Sequence, residues 1–205
     1  MTTRIGVVTD THVPEFLPVL PPDIPRLLAG VDLIFHCGDV TGTEVLTELG
    51  RIAPVQAVFG NHDDGSNLGL PETRTVEVDG LTFGLTHGVR HHPLFDSYLV
   101  AGTNALTWRW FALAPGYAEH LVRMFPTPPD VLVSGHIHRP LRSRVGKTAL
   151  FSPGAVYMPT RKLLRWARAE GWRPATREWV QQILLRVPTL LPPPAGSRSG
   201  TRPAC

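Results

Sequence analysis

The chain has 205 residues, 42% of them hydrophobic and 18% charged, with 20 Lys+Arg against 17 Asp+Glu for a formal net charge of +3. That balance suits one globular domain with a sizeable core and excludes a disordered polypeptide. The slight positive excess permits attraction to anions, but it is scattered, and no basic run is long enough to follow a nucleic-acid backbone.

In chain order, residues 4–9 (RIGVVT) read as a buried strand that delivers Asp10-Thr11-His12 at its C-terminal end. Residues 21–30 are predicted helical, and residues 32–37 form a second buried strand that leads to Gly38-Asp39. Val45, Leu46, Leu49 and Ile52 mark one face of a helix over 43–52. A third strand over 55–59 ends at Gly60-Asn61-His62-Asp63. The rhythm then changes: 73–78 alternate with period two, Asp79-Gly80 is a hairpin turn, and 81–86 return to His87-Gly88. Residues 93–125 are predicted helical. A strand over 131–133 precedes Gly135-His136-Ile137-His138, and another over 148–151 runs into Ser152-Pro153-Gly154-Ala155.

Beyond Pro159 no closing strand is visible, and 166–170 and 177–182 read as helices. The Pro-, Gly-, Ser- and Arg-rich end is expected to be disordered, which gives a domain over 1–187, with its motifs within 4–157, and a tail over 188–205. The apolar stretch 97–117 is broken by Asn104, Arg109 and Pro115, so no membrane span is expected. With no charged-then-apolar leader at the start and no disulfide expected between Cys37 and Cys205, a reducing cytoplasm is the expected setting. Trp108, Trp110 and Phe111 around Arg109 are expected to pack as a helix face; the sharper reading is a lid or a subunit interface, which leaves a homo-oligomer open.

Each polar cluster thus follows a strand, and in open α/β sheets that edge is where ligands bind. Together the clusters supply only oxygen and imidazole donors, the set that a pair of divalent ions requires. Hydrolysis of a phosphate ester needs a hydroxide, a means of spreading charge on phosphorus and a proton for the departing oxygen; two metals about 3.5–4 Å apart supply the first two. Asp39, alone after its strand, is the choice for the bridging carboxylate. Asp10 and His12, two residues apart on an extended segment, can reach one ion, and His136 and His138, in a turn, can splay towards different ions. Asn61 adds a carbonyl oxygen and His87 an imidazole, for seven ligands. His62 is left as a candidate general acid, oriented by Asp63. Taken singly each motif is a common turn; their joint order behind strands makes the pattern specific. His36 reads as a satisfied core histidine, His91 and His92 as surface or rim residues, and His120 has no station in the pattern.

At these residues the chain resembles the calcineurin-like metallophosphoesterase superfamily, with its D-x-H, G-D, G-N-H-D/E, H and G-H-x-H series, and is similar to its small bacterial and archaeal phosphodiesterase subgroup. The resemblance implies an α/β fold, a four-layer α-β-β-α sandwich with mixed sheets. It also implies two divalent ions, Mn²⁺ first, with Fe²⁺ or Zn²⁺ also suited. By resemblance Asp10, His12, Asp39 and His138 would hold one ion, Asp39, Asn61, His87 and His136 the other, and His62 would be the acid. The implied activity is hydrolysis of a small phosphodiester by a metal-bridging hydroxide; a phosphomonoesterase and a non-catalytic scaffold of the same fold are the alternatives. Many subgroup members have Cys where this chain has His62. Two features depart from the subgroup: the stretch between His87 and His136 is long and rich in Trp and Arg, and after Pro159 the usual closing strands are hard to see.

Overall fold

Runs of β-branched and aromatic residues too short for helices become the strands, and the side chains alternating along them decide what each face covers. The computed structural model describes residues 2–88, 116–138 and 140–156 and the backbone of residues 184–186. In its first sheet β1 (Arg4–Val8), β2 (Leu33–Cys37) and β3 (Val55–Val58) run parallel in the order β3-β2-β1. The second sheet is built from β4 (Thr73–Val78), β5 (Leu81–Thr86), β6 (Val131–Ser134), β7 (Pro140–Val145) and β8 (Thr148–Pro153), in the order β4-β5-β6-β8-β7. Its middle strands β5, β6 and β8 are parallel and its edge strands antiparallel. A short β9 (Leu184–Arg186) adds to the free edge of β1, antiparallel, with Ile5 opposite Leu185, so both sheets are mixed.

The sheets face each other. Phe35 on β2 and Phe83 on β5 lie with ring centroids 5.5 Å apart, and the Cys37 thiol reaches the Val133 carbonyl at 3.7 Å. Ile5, Val7, Val131, Val133 and Phe151 complete this central core. The outward-facing residues meet helices. Gly6 leaves room for Leu28, just after α1 (Asp23–Leu27): a methyl group at Gly6 would stand 2.6 Å from the Leu28 side chain. Val45 and Leu49 of α2 (Thr43–Gly50) are buried in the same core. On the far side α3 (Tyr117–Arg123) and Phe125 pack with Leu132 and Leu150, the residues that alternate with the inward Val131, Val133 and Phe151. The result is the four-layer α-β-β-α sandwich with mixed sheets.

The Asp79-Gly80 turn takes positive φ at both residues (51° and 77°), as a two-residue hairpin requires. Three expectations are corrected. The helix expected over 21–30 is a five-residue α1, ended before Gly30, whose φ is 76°. β7 was not anticipated: its burial alternates weakly and Arg142 and Arg144 point to solvent, so it lacks the apolar run that marks the other strands. β9 closes the first sheet where no strand was expected, because three residues are too few to show a period. The predicted helices over 166–170 and 177–182, the part of the 93–125 helix before Gly116, Trp108 to Phe111, and His91 and His92 lie outside the described residues. Among the described residues no helix is long and apolar enough to cross a membrane.

Phe35 is fully buried at the centre of the sheet interface. Phe35→Ala should lower unfolding free energy by about 3–5 kcal/mol, read as a lower urea midpoint with an unchanged m-value; a shift near zero would show that the two sheets do not share this core.

Candidate metal centre

All five polar clusters emerge at the C-terminal ends of parallel strands, β1, β2 and β3 in one sheet and β5 and β6 in the other, and converge on one edge of the sandwich. The backbone there ties the sheets together. The Cys37 carbonyl accepts hydrogen bonds from the Thr9 hydroxyl (2.9 Å) and from His87 Nδ1 (2.8 Å), Gly135 N–H donates to the His87 carbonyl (3.1 Å), and Val156 N–H donates to the Thr9 carbonyl (3.1 Å). Gly60 and Gly135 are glycines because of close approach: a methyl group at Gly60 would collide with Asp39, and one at Gly135 with the Thr9 hydroxyl and the Cys37 carbonyl.

The seven candidate ligands fall into two groups. In one, donor atoms of Asp10, His12, Asp39 and His138 all lie within 4.8 Å of one another. His138 Nε2 is 3.0 Å from Asp10 Oδ1, and His12 Nε2 is 3.4 Å from Asp39 Oδ2. In the other, Asn61 Oδ1 is 3.0 Å from both His87 Nε2 and His136 Nδ1, those two nitrogens are 3.2 Å apart, and His87 Nε2 is 3.2 Å from Asp39 Oδ2. Asp39 Oδ2 belongs to both groups, while Asp39 Oδ1 accepts the His62 backbone N–H at 2.9 Å.

The backbone at these ligands is unusual. Asp10 (φ 53°), His12 (48°), Asp39 (54°), His136 (70°) and His138 (51°) all occupy the left-handed region, which costs a non-glycine residue about 1–2 kcal/mol. Asp10 and His12 therefore reach one group from consecutive tight turns, not from the extended segment expected of them. Left-handed backbone at five of the seven candidate ligands concentrates strain in one place, as functional sites do.

Charge compensation explains the protonation pattern. Burial pushes the Asp10 carboxyl up, but the His138 and His87 imidazoles pull it further down, below the usual carboxylate range. Burial likewise raises Asp39 and His87 outweighs it, so Asp39 is lowered. Burial lowers His87, yet Asp39 and then Asp10 overcome it and push it up to about 9. His138 is raised in the same way by Asp10. Burial dominates at His136 and His36, each pushed down to about 4, and at His12, which is lowered despite its bond to Glu15. Each buried carboxylate thus faces an imidazole whose basicity it raises, His87 for Asp39 and His138 for Asp10, an arrangement that divalent cations could replace. The donor set of oxygens and imidazoles, the mutual spacing and the strained ligand backbone all fit such ions.

Two expectations change here. Asp63 does not orient His62. Its carboxylate is buried and accepts the backbone N–H groups of Gly60 (2.7 Å), Thr41 (2.7 Å) and Asp39 (3.1 Å), so it fixes the two ligand turns. His62 Nδ1 lies instead 2.9 Å from Glu15 Oε1, a residue that sequence reasoning missed because it sits in an aperiodic loop, 47 positions away. His36 is buried as expected but not fully satisfied: Nε2 is 3.2 Å from the Thr11 hydroxyl and Nδ1 has no hydrogen-bond partner among the described residues. Ala155 of the Ser152-Pro153-Gly154-Ala155 segment is buried, next to the Val156 bond to Thr9.

The description "calcineurin-like phosphoesterase superfamily domain" matches residues 3–167. A probable metallophosphoesterase of Methanothermobacter thermautotrophicus is 33% identical over 155 residues, 76% of this chain and 78% of the relative. Among solved structures, Vacuolar Protein Sorting 29 from Cryptosporidium parvum shares the fold with a TM-score of 0.57 at 23% identity, covering 79% of each chain. A novel archaeal phosphodiesterase does so at 0.50 and 24%, covering 75% of this chain and 85% of its own.

Two outcomes follow. His87, raised to about 9 in the metal-free site, carries a proton at pH 7 that ligation must displace. Titrating Mn²⁺ into the metal-free protein at pH 7 should release protons, with apparent affinity rising up to pH about 9 and levelling above it; calorimetry in buffers of different ionisation enthalpy reads the release, and none would count against His87 as a ligand. Asp63→Asn should lower stability by about 1–3 kcal/mol, because an amide cannot accept at both of its atoms; an unchanged thermal midpoint would refute the anchoring role.

Proposed function

The chain belongs to the calcineurin-like phosphoesterase superfamily, and from that premise we propose that it is a two-metal hydrolase of small phosphodiesters. The observation that carries this reading is the sharing of Asp39 Oδ2 between two clusters of donor atoms, one with Asp10, His12 and His138 and the other with Asn61, His87 and His136. Those seven residues would hold two divalent ions, with Mn²⁺ preferred and Fe²⁺ or Zn²⁺ compatible with the same donors. Such a pair, when bound, lowers the pKa of water and clamps the phosphoryl oxygens.

The remaining work falls to the chain itself. His87 donates from Nδ1 to the Cys37 carbonyl, which aims Nε2 at Asp39 and Asn61. His12 Nδ1 is directed at Glu15, which leaves Nε2 towards Asp39. His62 sits at the rim, about a third exposed, with its N–H backbone anchored on Asp39 and Nδ1 on Glu15. Its Nε2 is the proton donor to the departing alcohol, the role that general acid catalysis gives a positioned imidazole. Asp63 acts only through the backbone turns. The preference for diesters is supported by the subgroup resemblance of the motifs and by the phosphodiesterase that shares the fold. The Vps29 likeness favours a second reading, a scaffold that binds protein partners; a candidate acid held by a carboxylate favours the enzyme. We also propose that the domain extends to about residue 187, a reading supported by the pairing of β9 with β1.

Metal-depleted protein resupplied with Mn²⁺ should hydrolyse bis-p-nitrophenyl phosphate faster than p-nitrophenyl phosphate, and Asp39→Asn should abolish turnover. His62→Ala should slow poor leaving groups by about 10²–10⁴-fold and activated ones less. A monoester preference would make the protein a phosphatase, and no turnover with either ester at two bound metals per chain would favour the scaffold.

A further inference from the structure

We propose that Glu15 is the positioning residue of this site, one carboxylate that orients both the His12 ligand and the His62 acid. Its two oxygens are divided between them: Oε2 lies 3.1 Å from His12 Nδ1 and Oε1 lies 2.9 Å from His62 Nδ1. Glu15 follows His12 by three residues, but His62 comes from the turn after β3, 47 positions away, so the carboxylate links two turns distant in the sequence. A carboxylate can only accept, so each ring must present Nδ1–H to it. That choice leaves His12 Nε2 as a lone pair facing Asp39 and leaves His62 Nε2 outward. Imidazoles that ligate metals are commonly fixed through the other nitrogen in this way.

The surroundings hold the arrangement. The His12 and His62 rings meet edge to face at 4.7 Å, and Phe16, the next residue after Glu15, packs its ring 4.8 Å from His12 and 5.6 Å from His62. His62 and Glu15 are both about one-third exposed, so without the bond each would regain rotamer freedom, and the acid would lose its aim. The carboxylate next to His62 in the chain cannot substitute, because Asp63 is occupied by three backbone N–H groups.

The role of His62 as acid rests on the phosphoesterase reading, whereas the two hydrogen bonds and the metal affinity do not. The test therefore compares wild type, Glu15→Gln and Glu15→Ala, with Asp23→Asn as a control for charge on an exposed helix. Side-chain ¹⁵N–¹H correlation spectra of the metal-free proteins should show protected Nδ1–H signals for His12 and His62 in wild type and in Asp23→Asn, and neither in Glu15→Ala. Chelator competition should show Mn²⁺ bound about 10–100-fold more weakly in Glu15→Ala, and less weakly affected in Glu15→Gln, which keeps one acceptor. At saturating Mn²⁺, Glu15→Ala should slow a phenyl leaving group more than a p-nitrophenyl one through kcat with KM unchanged, and should add nothing to His62→Ala. Retained Nδ1–H signals with wild-type affinity would overturn the proposal, as would a leaving-group effect that simply adds to that of His62→Ala. If wild type hydrolyses neither ester, the enzymatic reading falls, while the spectra and the competition still decide whether Glu15 positions the two histidines.

Discussion

Two carboxylates, those of Asp10 and Asp39, are buried at the edge where the two sheets meet, and the rest of the site follows from the need to compensate them. An uncompensated buried charge costs several kcal/mol. Here the compensation comes from imidazoles in the turns after strands of the second sheet: Asp39 and Asp10 raise His87, and Asp10 raises His138, against carboxylates held by the first sheet. The attraction therefore acts across the sandwich, and a site that would repel itself without partners instead fastens the edge of the fold. Divalent cations would satisfy the same requirement with more charge, so metal and proton would compete for one set of atoms.

That arrangement demands a tight backbone. Seven donors can converge only if several chain ends turn sharply at once, and five of the ligands accept left-handed φ to do so. The strain persists because neighbouring groups over-determine it. Asp63 gathers three N–H groups from the Asp39 and Gly60 turns, and the Thr9 hydroxyl lies 2.7 Å from Asp10 Oδ2 and 2.9 Å from the Cys37 carbonyl, its single proton shared between the two acceptors. Gly60 and Gly135 remove the side chains that would hold the turns apart. Residues with no acid-base duty thus set the positions of those that have one.

The legible part of the sequence was the part with local signals. The strands β1, β2, β3, β5, β6 and β8 are short apolar runs with the polar candidate residues at their ends, so the convergence of seven residues was readable from order alone. The hairpin was readable because Asp79-Gly80 suits a turn with two positive φ values. What was not legible depended on distance in space. β9 has no period to detect, and β7 exposes its arginines. The Asp63 carboxylate is adjacent to His62 in the chain but faces the backbone, so adjacency suggested a partnership that the fold does not make. Glu15, in the sequence Val13-Pro14-Glu15-Phe16, has nothing local to mark it; only the folded loop brings it to His62.

The division between cage and rim also bears on how one fold can serve either as hydrolase or as scaffold. Asp10, His12, Asp39 and His87 are almost fully buried and tied into both sheets, so removing any of them disturbs the sandwich edge as well as ligation. His62 and Glu15 are partly exposed and belong to loops, the former with its backbone N–H held by Asp39. A chain could lose the rim pair with little loss of stability and still keep the cage. The presence of an acid alone is therefore weaker support for catalysis than an acid held in place, because orientation contributes nothing to folding that the cage does not already supply. In this chain the rim histidine is held by a carboxylate that also contacts His12, so on the proposed reading aim at the leaving group and geometry at the metal site would be set by the same side chain.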